Sequence, residues 1–289
     1  KGGVGKTTTA YNLAAALARY NKKILVIDRD PQGNCSSALG IDSSLSRRTS
    51  YELLTSQVDL KHAIRRTSYS NVFLISANLS LARLESQLRK QGKSKTTLLK
   101  EKLDCKDADA FDFILIDTPP SLGFLSLNSL KAADSVIIPR QCEYFALDAL
   151  AQLLSTIASV QRGDNPKLEI EGILLTRFDS RTKLGLEISQ EVRKNFKDKT
   201  FTTTIPRNVS IPEAISKGIP VSLYKPLSAG SLAYLSLARE VMEYAENAYK
   251  TAGLSANAYM ETVTSFSASL LQSLGGDTEA AVKYADVAI

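Results

Sequence analysis

The chain has 289 residues, 44% of them hydrophobic, which is enough to bury a full core in one or two domains. No apolar run approaches the length of a membrane span, no secretory signal is visible, and Cys35, Cys105, Cys142 and the single histidine His62 have neither metal-site nor disulfide spacing, so a reducing cytoplasm is expected. The net charge of +6 divides into +8 over residues 1–246 and −2 over residues 247–289; a basic body suits a polyanionic partner, or is simply a solvated basic surface.

The chain opens on KGGVGKTTTAYNLAAAL. Gly2, Gly3 and Gly5 supply the left-handed backbone angles and missing side chains with which successive N–H groups turn toward one anion. Leu13, Ala14, Leu17 and Ala18 recur at helical spacing and predict a helix over Thr7–Tyr20, whose N-terminus points its dipole at the same anion. In this P-loop pattern Lys6 places a charge on the β- and γ-phosphates and the Thr7 hydroxyl ligates Mg²⁺. The pattern's first glycine would fall just before Lys1, and the strand that feeds such a loop is missing, so the start reads as truncated. On chemistry alone Lys1 is either solvated or reaches the phosphates of a second subunit.

Further along, KKILVID (22–28), NVFLISA (71–77), FDFILID (111–117), DSVIIP (134–139) and IEGILLT (170–176) are short apolar runs that suit buried strands. LSLARLESQLRKQ, SLNSLKAA, YFALDALAQLLSTIASV and GLEISQEVRKNF between and after them have helical spacing. His62, in DLKHAIRR, reads as an exposed helix residue. The alternation predicts an α/β fold, a mostly parallel P-loop sheet with helices on both faces and its first strand missing, and ligands at the carboxyl ends of the strands. Two strands end there in acids. Asp28 and Asp30 follow the first, and Asp117 ends FDFILID. Asp117 reads as the carboxylate that supports Mg²⁺, usually through water. Asp30, before Pro31, either starts a turn or orients an attacking water.

Together KGGVGKTTT, DRDPQGN, IDTPPSLG and IPRNVSIPEAISKGIPV resemble the ParA/Soj branch of the ParA/MinD family, deviant Walker-A ATPases that partition plasmids and chromosomes, over residues 1 to about 246. The resemblance implies a homodimer that sandwiches two ATP molecules, with Lys1 crossing to the partner's phosphates. It further implies that Lys1, Gly2, Gly3, Val4, Gly5, Lys6, Thr7 and Thr8 bind ATP and Mg²⁺, that Lys1, Lys6 and Asp30 serve hydrolysis, and that Thr7 and Asp117 serve the metal. Pro206 and Asn208 match positions that hold adenine. Arg181, Arg207, Lys217 and Lys225 match the basic region that binds double-stranded DNA without sequence preference, with Lys225 the cleaner probe because Arg207 adjoins the adenine loop. The implied cycle is partition driven by ATP: the ATP dimer sits on the nucleoid until a centromere-binding partition protein stimulates hydrolysis.

The alternatives are a MinD-like membrane-surface positioning ATPase, a metabolic P-loop enzyme such as a ligase, and a non-functional fragment of a partition ATPase. Residues 247–289 fit none of these. They resemble a stretch of phage tail tape-measure proteins, and are expected to form a second, helical unit attached loosely to the ATPase domain of residues 1–246.

Overall fold

The computed structural model describes residues 3–44, 46–90, 95–142, 147–251 and 262–266. All five apolar runs are strands: β1 (Ile24–Asp28), β3 (Val72–Ile75), β4 (Phe113–Asp117), β5 (Ser135–Gln141) and β6 (Glu169–Thr176). β2 (Arg65–Arg66) adds a short antiparallel edge to β3, and β7 (Thr262–Phe266) completes a seven-stranded sheet in the order β2-β3-β1-β4-β7-β5-β6. Every residue of β1, β4 and β5 is buried, which is why the stretches 24–27, 113–116 and 136–138 are apolar without alternation.

The helices cover both faces. On one side α1 (Lys6–Arg19) packs against α12 (Ala229–Thr251), with Leu13, Leu17, Val26, Leu74, Leu115, Tyr234 and Leu237 in a common core. On the other, α3 (Ser50–Leu54), α5 (Leu81–Lys90), α6 (Leu98–Leu103), α7 (Phe124–Ala132), α8 (Leu147–Arg162) and α9 (Lys183–Phe196) are packed with Leu25, Ile27, Ile116 and Ile138. Short helices α2 (Asn34–Ala38), α4 (Leu60–Ala63), α10 (Ser210–Ser216) and α11 (Val221–Tyr224) fill the connections. His62 is exposed on α4, as its context suggests.

Two observations bear on the tail, expected as a separate helical unit from residue 247. The division at residue 246 falls inside α12, which runs unbroken to Thr251. Within the tail, β7 pairs in parallel with β4 from Phe113↔Thr262 to Asp117↔Phe266, and with β5 from Ser135↔Thr264 to Ile137↔Phe266. The physical reason is the backbone of β4 and β5. Each strand offers N–H and C=O groups along its inner edge, and leaving them unpaired in the middle of a buried sheet costs more than recruiting a β-prone segment such as TVTSF. The rest of the tail lies outside the described residues.

β6 carries one electrostatic cost of its own. The register shifts between Val136 and Ile137, so that Glu171 is the extra residue of a bulge. Its neighbour Gly172 has no room for a side chain, since a Cβ there would lie 2.7 Å from the Phe201 ring. Glu171 is buried; one oxygen accepts from the Ser135 hydroxyl at 2.7 Å and the other has no partner. Burial pushes its pKa up to about 7, with Ser135 opposing. Between the ordinary glutamate value and about pH 7 the folded state therefore holds a proton that the unfolded chain has released. The penalty is absent below that window, grows as pH rises through it, and is complete above it. Glu171→Gln should accordingly be more stable than the parent at pH 8, by about 3 kcal/mol at most, and the difference should vanish near pH 4.5. Urea melts at the two pH values measure it, and a difference independent of pH would remove the assignment.

Candidate nucleotide site

Gly3 (φ 84°) and Gly5 (φ 93°) are both left-handed, and Gly5 caps α1 without any side-chain hydrogen bond. The first N–H groups of a fourteen-residue helix are thus left for an external anion. The loop is stitched to the sheet from below. The Thr176 hydroxyl at the end of β6 donates to the Val4 carbonyl at 2.9 Å, and the Gln141 amide at the end of β5 donates to the Gly3 carbonyl. Gln141 and Thr176 were not among the expected site residues. The available signal was a polar residue closing an apolar strand at the sheet's ligand-binding edge.

Lys6 is only 7% exposed. Burial lowers its pKa, while Asp117 and Asp30 pull in the opposite direction. Asp117, fully buried at the end of β4, is pushed well above the ordinary carboxylate range, by burial first and then by Asp28; Thr7 and Lys6 act against that rise. Neither Asp117 oxygen has a well-formed hydrogen bond. A buried carboxylate left in this state is costly, and beside a phosphate cradle it has the oxygen chemistry that a hard divalent cation takes up directly or through water. The residues present fit Mg²⁺, with Thr7 at the first turn of α1 and Asp117 opposite it.

Asp28 is the register partner of Asp117 on the adjacent strand. Burial raises its pKa to about 6, against hydrogen bonds from Ser36 and Asp30. Asp30 lies beyond it at 9% exposure, with Oδ1 accepting from the Gln32 N–H at 3.0 Å and its carbonyl accepting from the Gly33 N–H at 2.9 Å. The turn and the site reading of Asp30 are therefore compatible: the turn is present, and it sets the carboxylate close enough to Lys6 to act on its charge. Arg29 between the two acids is fully buried with all three guanidinium nitrogens unpartnered, and burial lowers its pKa to about 9.

Pro206 and Asn208 lie on a segment held to the chain that leaves β6. The Phe178 N–H donates to the Ile205 carbonyl at 3.0 Å, and the Arg207 N–H to the Phe178 carbonyl at 2.9 Å. Both residues are half-buried. The Asn208 side chain accepts from the Ser210 N–H at 3.0 Å, fixing the entry to α10. Asn12 of α1 accepts from the Val221 N–H at 2.8 Å, which ties the P-loop helix to α11.

The four basic candidates are all exposed but not equivalent. Arg181 makes a two-pronged contact with Asp179, at 2.8 and 2.7 Å, which raises its own pKa and lowers that of Asp179 to about 2. Lys225 pairs with Glu213 at 2.8 Å. Among the described residues no ion pair is formed by Arg207 or Lys217. Lys225 and Arg181 thus each share their charge with a carboxylate of the same chain. Lys1 and Gly2 lie outside the described residues, as do residues 143–146.

Comparison with known proteins places this geometry in context. The AAA_31 family, described as an AAA domain, matches residues 1–170. The sporulation initiation inhibitor protein Soj of Bacillus subtilis is 47% identical over 241 residues, covering 83% of this chain and 94% of Soj. The chromosome partitioning protein ParA of Caulobacter vibrioides is 44% identical over 243 residues, 84% of this chain and 91% of ParA. Among solved structures, cobyrinic acid a,c-diamide synthase from Mycobacterium smegmatis, with bound ADP and magnesium, superposes with a TM-score of 0.73 at 34% identity over 91% of this chain and 95% of its own. No helix among the described residues is long and apolar enough to cross a membrane.

Proposed function

We propose, for a chain that belongs to the AAA_31 family and within it to the ParA/Soj-type partition ATPases, that ATP and Mg²⁺ close a homodimer which holds double-stranded DNA by its phosphates and releases it on hydrolysis. The observation that carries the nucleotide part is the fully buried Asp117, without a well-formed hydrogen bond, close to Lys6 and Thr7 beside a left-handed glycine loop. A solved relative of the same fold carries a synthase's name, but at lower identity than the partition proteins, so the partition reading is preferred to the ligase one.

The chemistry follows from the chain's own groups. Backbone N–H groups from Gly3 to Thr8 bind the triphosphate, and Lys6 neutralises its terminal oxygens in a site where burial strengthens every charge. When bound, Mg²⁺ supplies charge neutralisation to the phosphates, with Thr7 and Asp117 to hold it. Asp30 orients the attacking water. Pro206 and Asn208 flank the adenine. Lys1, by resemblance, reaches the partner subunit's phosphates, and a centromere-binding partner accelerates turnover. Such a protein would act in the cytoplasm on the nucleoid.

Phosphate contacts require charge and no base reading, so each one lost should weaken every duplex alike and flatten the salt dependence by about one unit of slope. Lys217→Ala and Arg207→Ala should each do so with ATP present. Lys225→Ala should change the slope less, since Glu213 already holds its ammonium. The measurement is a salt titration of two unrelated duplexes with ATP and with ADP, beside anionic liposomes. Liposome binding without ATP-dependent duplex binding would replace this reading with membrane-surface positioning.

A further inference from the structure

Asp28 has a place in the structure that the reading above does not use. Its Oδ2 accepts from both the backbone N–H and the hydroxyl of Ser36, at 2.8 and 2.7 Å, and its Oδ1 accepts from the Asp30 N–H at 3.1 Å. The Ser36 hydroxyl oxygen in turn accepts from the Ala77 N–H at 3.1 Å, just past β3. The Ser50 hydroxyl donates to the Asp28 carbonyl at 2.6 Å, bringing in the first residue of α3. One carboxylate therefore joins the end of β1, the first turn of α2 and the segment after β3.

The loop that carries Asp30 is confined between these anchors. It starts at Asp28 and ends at Gly33, where φ is 64° and a Cβ would lie 3.1 Å from the Ala77 carbonyl. Only glycine combines that backbone angle with that closeness. Within the loop, the backbone N–H of Asp30 is the group held by Asp28, so the acceptor acts on the residue whose side chain the reaction needs. Charge-assisted bonds of this kind are stronger and better directed than neutral ones. A small displacement of a reacting group costs far more in rate than in binding.

We propose that Asp28 is a positioning residue for ATP hydrolysis: through the Asp30 N–H and through Ser36 it fixes the Asp30 carboxylate in the place from which it orients water. The proposal rests on reading Asp30 as the water-orienting group. Because it acts through Asp30, it should govern turnover and leave ATP affinity alone.

The test is a double-mutant cycle in the full chain, with single-turnover ATP hydrolysis and Mg-ATP affinity measured on Asp28→Asn, Asp30→Ala and the pair. Asp28→Asn keeps the shape but turns an amide against the Asp30 N–H or against Ser36. It should slow hydrolysis by about 30-fold while ATP affinity stays within about twofold, and it should add nothing in the Asp30→Ala background. Ser36→Ala leaves Asp28 in place and should give a smaller loss of the same kind; it carries the test if Asp28→Asn fails to fold. Slow hydrolysis in Asp30→Ala with normal hydrolysis in Asp28→Asn or Ser36→Ala would overturn this proposal alone. So would fully additive losses in the double variant, because Asp28 would then act independently of Asp30. Normal hydrolysis in Asp30→Ala would overturn the parent reading, and this one with it.

Discussion

Asp117→Asn should make the nucleotide-free protein more stable and nearly abolish Mg-dependent hydrolysis. The two effects have one cause. Without nucleotide, Asp117 is a fully buried carboxylate with no well-formed hydrogen bond, next to Asp28, and its raised pKa records what that environment costs the charged form. The amide removes the charge and the repulsion. Working out the sign, a carboxyl whose folded pKa exceeds its unfolded value destabilises the fold progressively as pH rises toward the folded value. The gain from Asp117→Asn should therefore be larger at pH 8 than at pH 5, and a thermal shift of several degrees is the expected size for a few kcal/mol. With Mg-ATP the order reverses, because the parent gains a cation against its carboxylate and the variant does not. Hydrolysis should fall by about a thousandfold, equivalent to ~4 kcal/mol of transition-state stabilisation. Melting curves with and without Mg-ATP, alongside turnover, check both halves. A variant that is less stable than the parent without nucleotide and still hydrolyses ATP would make Asp117 a structural residue.

Much of this site could be read from residue order because its chemistry is local. A glycine run followed by Lys6 and Thr7 fixes a loop and a helix start within eight residues, and strands buried on both faces announce themselves as unbroken apolar runs. Asp117 was legible for the same reason, as the acid that ends such a run. What escaped was set by contacts distant in the chain. Gln141 and Thr176 hold the loop from strands more than 130 residues away, and nothing in IIPRQ or GILLT says which loop they reach. The pairing of Lys225 with Glu213 depends on how α10 meets α11, which charge counting does not register. β7 was missed because TVTSF carries three hydroxyl side chains and lacks the apolar pattern of a buried strand. Its place between β4 and β5 comes from their unpaired backbone edges rather than from its own composition.

Lys6→Ala should cost the protein its triphosphate affinity and, without nucleotide, part of its stability. In the free protein Lys6 is buried and unfavourably desolvated, yet it is also the positive charge that acts on Asp117 and Asp30. Removing one partner of a buried charge set leaves the others uncompensated. The two lost contributions have opposite signs, desolvation relieved and attraction lost, and Asp117 decides the balance. Its pKa is raised already, and without Lys6 it should rise further, so the loss of stability with rising pH continues to higher pH than in the parent. Lys6→Met, which keeps most of the stem's packing, should show the same pH trend with a smaller offset. For the ligand, charge-assisted contacts to the terminal phosphates are worth about 1.5–3 kcal/mol each, so two of them predict a loss of roughly a hundredfold or more in affinity. The assay is thermal melting across pH 5–8 with increasing Mg-ATP. The parent's midpoint should climb with the logarithm of ligand concentration, and that of Lys6→Ala should stay flat over the same range. A variant whose midpoint climbs as steeply as the parent's, at the same concentrations, would separate Lys6 from the phosphates and leave it only as the counter-charge of Asp117.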